Sequence, residues 1–284
     1  MKRFKIGGVP EHFNLPWRMA IERGEFKQMR TDIHWSDMPG GTGQMIKGLK
    51  AGSIDIAVLL TEGITKAISE GLLAEIVSVY VQSPLTWGIH SPVGTVKELR
   101  DLEDSTFAIS REGSGSHLMS YVLADREGWK APTDFEVVGD VYGGLWALEN
   151  NRAKAFLWER FTTQPFVDLG KCQRVGEIKT PWPSFVVAAR SEVLEKDADI
   201  VKMIVRKVLE TAQKVKNWSI PTGSNSTWAS EEISWRYGLK VEQAQMWLDQ
   251  TNWADKVEGL SEDQLKVVSD TLKNLNLMKN NNGN

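Results

Sequence analysis

Among its 284 residues the chain has one cysteine, Cys172. A single thiol excludes an intramolecular disulfide and any zinc or iron–sulfur centre built on cysteine. Cys172 lies beside Lys171 in what reads as a polar turn, and it is expected to be unreactive. Long apolar runs are lacking too. No stretch approaches the roughly 18–20 apolar residues of a membrane span, so no membrane insertion is expected. Positive charge is in slight deficit, 34 Lys and Arg against 37 Asp and Glu, for a net charge of -3. No basic field is available for a nucleic-acid backbone, and no nucleic-acid partner is expected. The opening MKRFKIGGVP runs straight into a strand-like segment, without the apolar region and small-residue cleavage site of a secretory signal. As written the protein is expected in the cytoplasm; a processed mature form with an added Met would instead be periplasmic.

Catalytic signatures are equally scarce. The four histidines, His12, His34, His90 and His117, show no metal-ligand spacing, and His34 and His90 are expected to be structural. There is no G-x-S-x-G elbow, no P-loop lysine and no dinucleotide fingerprint. No metal, no cofactor and no catalytic residue is assigned from sequence.

What is present is an alternation of apolar strand-like runs with helical patterns, the mark of βα units and a mostly parallel sheet. Strands are expected at Phe4–Ile6, Thr31–Ser36, Ile54–Leu60, Ile76–Val81 continuing to Ile89, Thr106–Ser110 and Phe135–Val138. Helices are expected at Pro16–Arg23, Gln44–Lys50, through Ile68 and at His117–Arg126. A capping box at Thr95–Glu98 predicts a short helix to Leu102. Leu148-Glu149-Asn150-Asn151 stands in a helix–turn–strand pattern like that of Leu49-Lys50-Ala51-Gly52, so two lobes on one plan are one reading, and chance likeness of βα units the other. Beyond Val193 the chain turns helical: Ile200, Ile204, Val208 and Ala212 share one face of a helix ending near Asn217. A second capping box, Ser261–Gln264, opens a last helix towards Leu277, followed by a polar tail, Lys279–Asn284. Twelve Trp fill the core or offer flat surfaces to a ligand.

Two glycine-rich segments carry the most chemistry. Gly40-Gly41-Thr42-Gly43 and Gly113-Ser114-Gly115-Ser116 each follow a strand and open a helix, with His117 next after the second. Free N–H groups at such a start, together with the helix dipole, favour an anionic or strongly polar ligand group. The same segments are also common turn chemistry. His12, Phe13 and Asn14 follow the first strand at its carboxyl end, the edge at which open α/β sheets hold ligands. Thr61 and Glu62 end another strand at the same edge, where Glu62 is placed to accept from an amine or amidine, or to serve the helix dipole. Gln82 and Ser83 stand at a hinge-like crossing. Tyr142 opens the helix that mirrors Gln44–Lys50, and Glu159 and Arg160 follow a buried strand, where Arg160 faces either an anionic ligand or a neighbouring carboxylate.

The Gly-Gly-Val-Pro opening, the Gly-Gly-Thr-Gly-Gln-Met helix start, Leu49-Lys50-Ala51-Gly52-Ser53-Ile54-Asp55-Ile56-Ala57 and Gly113-Ser114-Gly115-Ser116-His117 together resemble the type II periplasmic-binding-protein superfamily. The resemblance runs over residues 4–190 and is to its nitrate, taurine, alkanesulfonate and thiamine-pyrimidine group. It implies an α/β fold of two lobes, each a mostly parallel sheet flanked by helices, with a ligand cleft between them. Lobe 1 would be 1–88 with 186–284, and lobe 2 would be 89–185. The implied function is non-catalytic binding of a small polar or anionic metabolite, pyrimidine-like or sulfonate-like, by hinge closure. The alternative is an enzyme of thiamine or pyrimidine metabolism on the same fold; the fungal synthases use a cysteine-rich motif that one cysteine cannot reproduce. An ABC permease is an implied partner only if the protein is exported.

Overall fold

The computed structural model describes residues 1–217 and 228–278, so the expected polar tail lies outside the described residues. The chain forms two compact units. The first holds Met1–Pro84 and Trp182–Val268; the second holds Leu85–Pro181 and the stretch from Ser269.

In the first unit the strands are β1 (Lys2–Gly8), β2 (Thr31–Asp37), β3 (Ile56–Leu60), β4 (Ala74–Val81) and β10 (Phe185–Arg190), ordered β2-β1-β3-β10-β4. β1 pairs in parallel with β2 and β3, and β10 is antiparallel to both β3 and β4. Four strands therefore run one way and the fifth is reversed. Ile56, Ala57, Val58 and Leu59 are all buried, as are Val186–Ala189. Such continuous apolar runs are what a sheet covered on both faces requires. Helices α1 (Leu15–Glu22), α2 (Gly41–Ala51) and α3 (Thr61–Ser69) follow β1, β2 and β3. After β10 come α7 (Ser191–Asn217), α8 (Trp228–Tyr237) and α9 (Val241–Gln250). α7 breaks its helical path at Asp197 and then buries Val201, Ile204, Val205, Val208, Leu209, Ala212 and Val215 along one stripe.

The second unit repeats this plan. Its strands are β5 (Thr86–Ser91), β6 (Phe107–Ile109), β7 (Phe135–Val137), β8 (Ala155–Glu159) and β9 (Gln173–Lys179), ordered β7-β6-β8-β5-β9. β6 is parallel to β7 and β8, and β5 is the reversed strand. Helices α4 (Gly115–Glu127), α5 (Val141–Glu149) and α6 (Arg160–Asp168) follow β6, β7 and β8.

The likeness reaches single hydrogen bonds. A constant shift of 99 residues carries Gly52 onto Asn151, both left-handed, with φ of 68° and 54°. Ser53 N donates to Gly48 O at 3.0 Å, and Arg152 N to Ala147 O at 2.8 Å. Asp55 N donates to Lys5 O at 2.7 Å, and Lys154 N to Thr106 O at 2.9 Å. Glycine reaches the left-handed conformation without steric cost, and Asn is the side chain that tolerates it best. The Leu-Lys-Ala-Gly-x-Ile-Asp-Ile-Ala run is thus a device for ending α2 and entering β3.

Several expectations are corrected. The strand expected from Ile76 to Ile89 is two strands in different sheets, β4 and β5, interrupted around Pro84. The capping box near residue 98 is displaced by three positions. Glu98 is the N-cap of a 3₁₀ turn at Leu99–Leu102, with Asp101 reaching back to it, while the Thr95 hydroxyl donates to Pro92 O. Cys172 lies in the bend between α6 and β9, as expected, but that bend is not polar around it: the side chain is buried with Ala108, Leu148 and Phe156. Burial pushes its thiol up to about 11, which keeps it protonated and inert. The second capping box forms as expected: Ser261 and Gln264 exchange hydrogen bonds at the head of α10 (Glu262–Asn274).

Candidate functional site

Register fixes which side chains share an edge. In the first sheet Gly8 pairs with Asp37 and Val58, and Phe185 pairs with Leu60 and Val81. The carboxyl ends of β1 to β4 and the start of β10 therefore lie together, and α1, α2 and α3 all begin there. None of these three helices has a side-chain cap: the N-cap residues are Asn14, Gly40 and Leu60. An ordinary cap contributes about 1 kcal/mol, and its absence leaves first-turn N–H groups to other acceptors. Gln44 accepts from Gly40 N at 2.8 Å.

Thr42 ties α2 to β3. Its hydroxyl accepts from Leu60 N at 3.2 Å, and its methyl packs where a Cβ on Gly63 would stand, 2.4 Å away. The Thr61 hydroxyl donates to Pro183 O, and Ser184 N and Oγ both donate to Ser83 O, which fixes the chain entering β10. Gln82 has an exposed side chain, and its N–H donates to Asn252 O.

Glu62, in the first turn of α3, is 3% exposed. Its Oε2 accepts from Trp182 Nε1 at 2.9 Å, whereas Oε1 is buried with no hydrogen-bond partner among the described residues. Burial pushes the carboxyl up to about 7, against the hydrogen bonds from its own backbone and Trp182. His12 and Phe13 sit in an aromatic cluster: His12 meets Phe13 at 4.9 Å and Trp247 at 4.5 Å, and Phe13 meets Phe185 at 4.8 Å. Both residues are buried. Asn14 Nδ2 donates to Val9 O, and its buried Oδ1 has no donor among the described residues.

In the second sheet, Ile109 pairs with Val137, and Trp87 with Glu159, so α4, α5 and α6 also begin along one edge. Here every helix is capped by its own side chain. Ser114 accepts from His117 N, Asp140 from Gly143 N and Glu159 from Thr162 N. Ser116 Oγ accepts from Ser110 N at 3.0 Å and bonds Ser114 Oγ, and Gly113 N donates to His117 Nδ1 at 2.9 Å. The free N–H groups expected at Gly113–Ser116 are therefore partly satisfied within the loop, with Gly115 opening α4. His117 is neutral in this role, and burial lowers its pKa. Tyr142 is exposed and meets Phe166 edge-on at 5.8 Å. Arg160 pairs with Glu177, which Arg174 shares. His90 is buried between Phe156 O and the Thr163 hydroxyl, and burial lowers its pKa to about 4.

Arg111 is a residue that pattern reading passes over. It stands two residues past the end of β6, is half-buried, and burial lowers its pKa. A basic residue just past a strand's carboxyl end is the available signal, and the neighbouring Gly/Ser run obscures it. A groove of about 450 Å³ lies elsewhere, lined by Pro92, Asp104 and Arg152 to Lys154 at the amino end of β6 and β8. Its cations are engaged, Lys154 with Asp101 O and Arg152 with Glu136, so it offers little to an anion. Among the described residues no group of three or more His, Cys, Asp or Glu is placed to hold a metal ion, and no helix is long and apolar enough to cross a membrane.

Comparison with known proteins agrees with this architecture. Residues 87–178 match the model of a family described as Ca3427-like PBP. The solved CA3427 gene product of Candida albicans, described as defining a new family with the generic periplasmic-binding-protein fold, superposes with a TM-score of 0.88 at 27% identity over 98% of this chain and 91% of that one. The alkanesulfonate-binding protein SsuA of Xanthomonas axonopodis pv. citri, bound to MOPS, gives 0.80 at 16% identity over 98% and 95%. PhnD1 of Prochlorococcus marinus, in complex with methylphosphonate, gives 0.62 at 10% identity over 98% and 99%. A search of curated protein sequences returns no match. From strand order, helix placement and these superpositions, the chain has the two-lobed type II periplasmic-binding-protein fold, in the form shared with CA3427 and the alkanesulfonate-binding proteins.

Proposed function

We propose that this chain reversibly binds a small organic anion, of sulfonate or phosphonate type, at a helix-start edge of its sheets, that of the first lobe. The observation that carries this reading is the contrast between the two edges. Three helix heads in the first unit lack side-chain caps, whereas all three in the second are capped. Backbone N–H groups and the helix dipole at an uncapped head favour an anion, and they do so without a basic side chain. The proposed anion contacts are Gly41, Thr42 and Thr61; Ser114, Tyr142, Arg160 and Arg111 stand at the corresponding helix-start edge of the second lobe. Two relatives of this fold support the class: one is bound to MOPS, a sulfonate, and the other to methylphosphonate.

Gln44→Glu tests this reading. The side chain is exposed in the first turn of α2 and already reaches Gly40 N. A carboxylate there keeps that bond and favours the helix dipole, so the melting temperature is expected to hold or rise. Calorimetric titration with ethanesulfonate and with methylphosphonate should show saturable binding to the wild type, weakened roughly tenfold in the variant by like-charge repulsion. Binding unchanged by the substitution would contradict an anion at α2.

A further inference from the structure

We propose that Glu62 is a ligand-recognition residue whose free carboxylate oxygen accepts from an ammonium or other N–H group of the bound anion. This rests on the anion reading above and narrows it to organic anions that also carry a nitrogen donor.

The case begins with an imbalance. A buried carboxylate is ordinarily paired or saturated with hydrogen bonds, because an uncompensated charge away from water is costly. Glu62 has Trp182 Nε1 on Oε2 and, among the described residues, no partner on the buried Oε1. Among the described residues, burial, its own backbone and Trp182 account for its behaviour. The imbalance is not demanded by the fold. The shift of 99 residues that superimposes the two βα units carries Glu62 onto Phe161, also buried at the first turn of its helix. Packing at this position is thus met by an apolar ring. The dipole of α3 does not demand it either, since an exposed carboxylate in the first turn serves the dipole without desolvation.

Position supports a ligand role. Glu62 opens α3 at the edge where α2 also begins, and Thr42 of α2 packs against the adjacent Gly63. Asn14, at the N-cap of α1, presents a second buried acceptor oxygen without a donor among the described residues. On this proposal the helix heads take the anionic group and the Glu62 carboxyl takes the nitrogen donor of one amphoteric ligand.

The test compares two probes that differ only in the amine, 2-aminoethanesulfonate and ethanesulfonate, on wild type and Glu62→Gln. Wild type should bind the amino probe roughly tenfold or more tightly, the worth of one charge-assisted hydrogen bond, and the variant should lose most of that preference while binding ethanesulfonate at least as well. An ammonium favours ionised Glu62, so affinity for the amino probe should strengthen as pH rises from about 6 to about 8. Equal binding of the two probes by wild type, or affinity that weakens over that range, would overturn the Glu62 assignment and leave the anion reading standing. Binding of neither probe would overturn both.

Discussion

Glu62 makes the ligand-free protein pH-sensitive, and the sign follows from its raised pKa. Burial pushes its carboxyl up to about 7 in the fold, against about 4.5 for an ordinary glutamate. The folded state therefore holds the proton more tightly, and the stabilisation present below about pH 4.5 is lost as pH rises through about 7. Glu62→Gln removes that loss. The variant should be more stable than wild type by ~3 kcal/mol at about pH 8, and the difference should disappear near pH 4.5, as read by urea unfolding. A neighbouring residue tests the packing. Gly63→Ala drives a methyl into Thr42 and should cost ~1–3 kcal/mol; adding Thr42→Ser, which removes the opposing methyl and keeps the hydroxyl that accepts from Leu60 N, should restore most of it. At this scale the sequence is partly legible. It places Thr61 and Glu62 at a strand end, but burial and the missing partner of Oε1 depend on Trp182, 120 residues away. Cys172 misleads for the same reason: a Lys–Cys pair reads as polar, while the core it enters comes from Ala108, Leu148 and Phe156.

Helices and strands follow local chemistry where that chemistry is strong. Gly52 and Gly128 end α2 and α4 in the left-handed conformation, as helix-terminating glycines do, and the Ser261–Gln264 box opens α10. Reading fails where two local solutions compete. Thr95 and Glu98 satisfy the capping-box pattern, yet Asp101 serves the turn better, so the helix shrinks to one 3₁₀ turn. β9 and β10 give little warning, since β9 lacks a clean alternation and β10, Phe-Val-Val-Ala-Ala-Arg, reads equally as buried helix or strand. The contrast between capped and uncapped heads also belongs to this scale. Ser114→Ala should cost about 1 kcal/mol of stability by thermal or urea unfolding, because it strips the acceptor of His117 N. An unchanged midpoint would mean that Ser116 or water takes over the cap.

For the molecule as a whole, the sequence is most informative where it repeats itself. The correspondence of Leu49–Gly52 with Leu148–Asn151 reaches the hydrogen bonds around both turns, and the two sheets share one strand order. The motif most specific to the resemblance lies at the amino end of β3, remote from the helix heads, which is why it announces the fold and is silent about the ligand. On the reading proposed above, specificity falls instead to single residues such as Glu62, whose counterpart in the second repeat is Phe161. Position-resolved binding tests this account most directly: backbone amide chemical shifts followed through a titration of wild type with ethanesulfonate. The account predicts saturable shifts concentrated at the heads of α2 and α3, around Gly41–Gly43 and Thr61–Gly63, with smaller changes around Arg111–Ser116. No saturable shift, or shifts confined to the groove around Pro92 and Lys154, would contradict it.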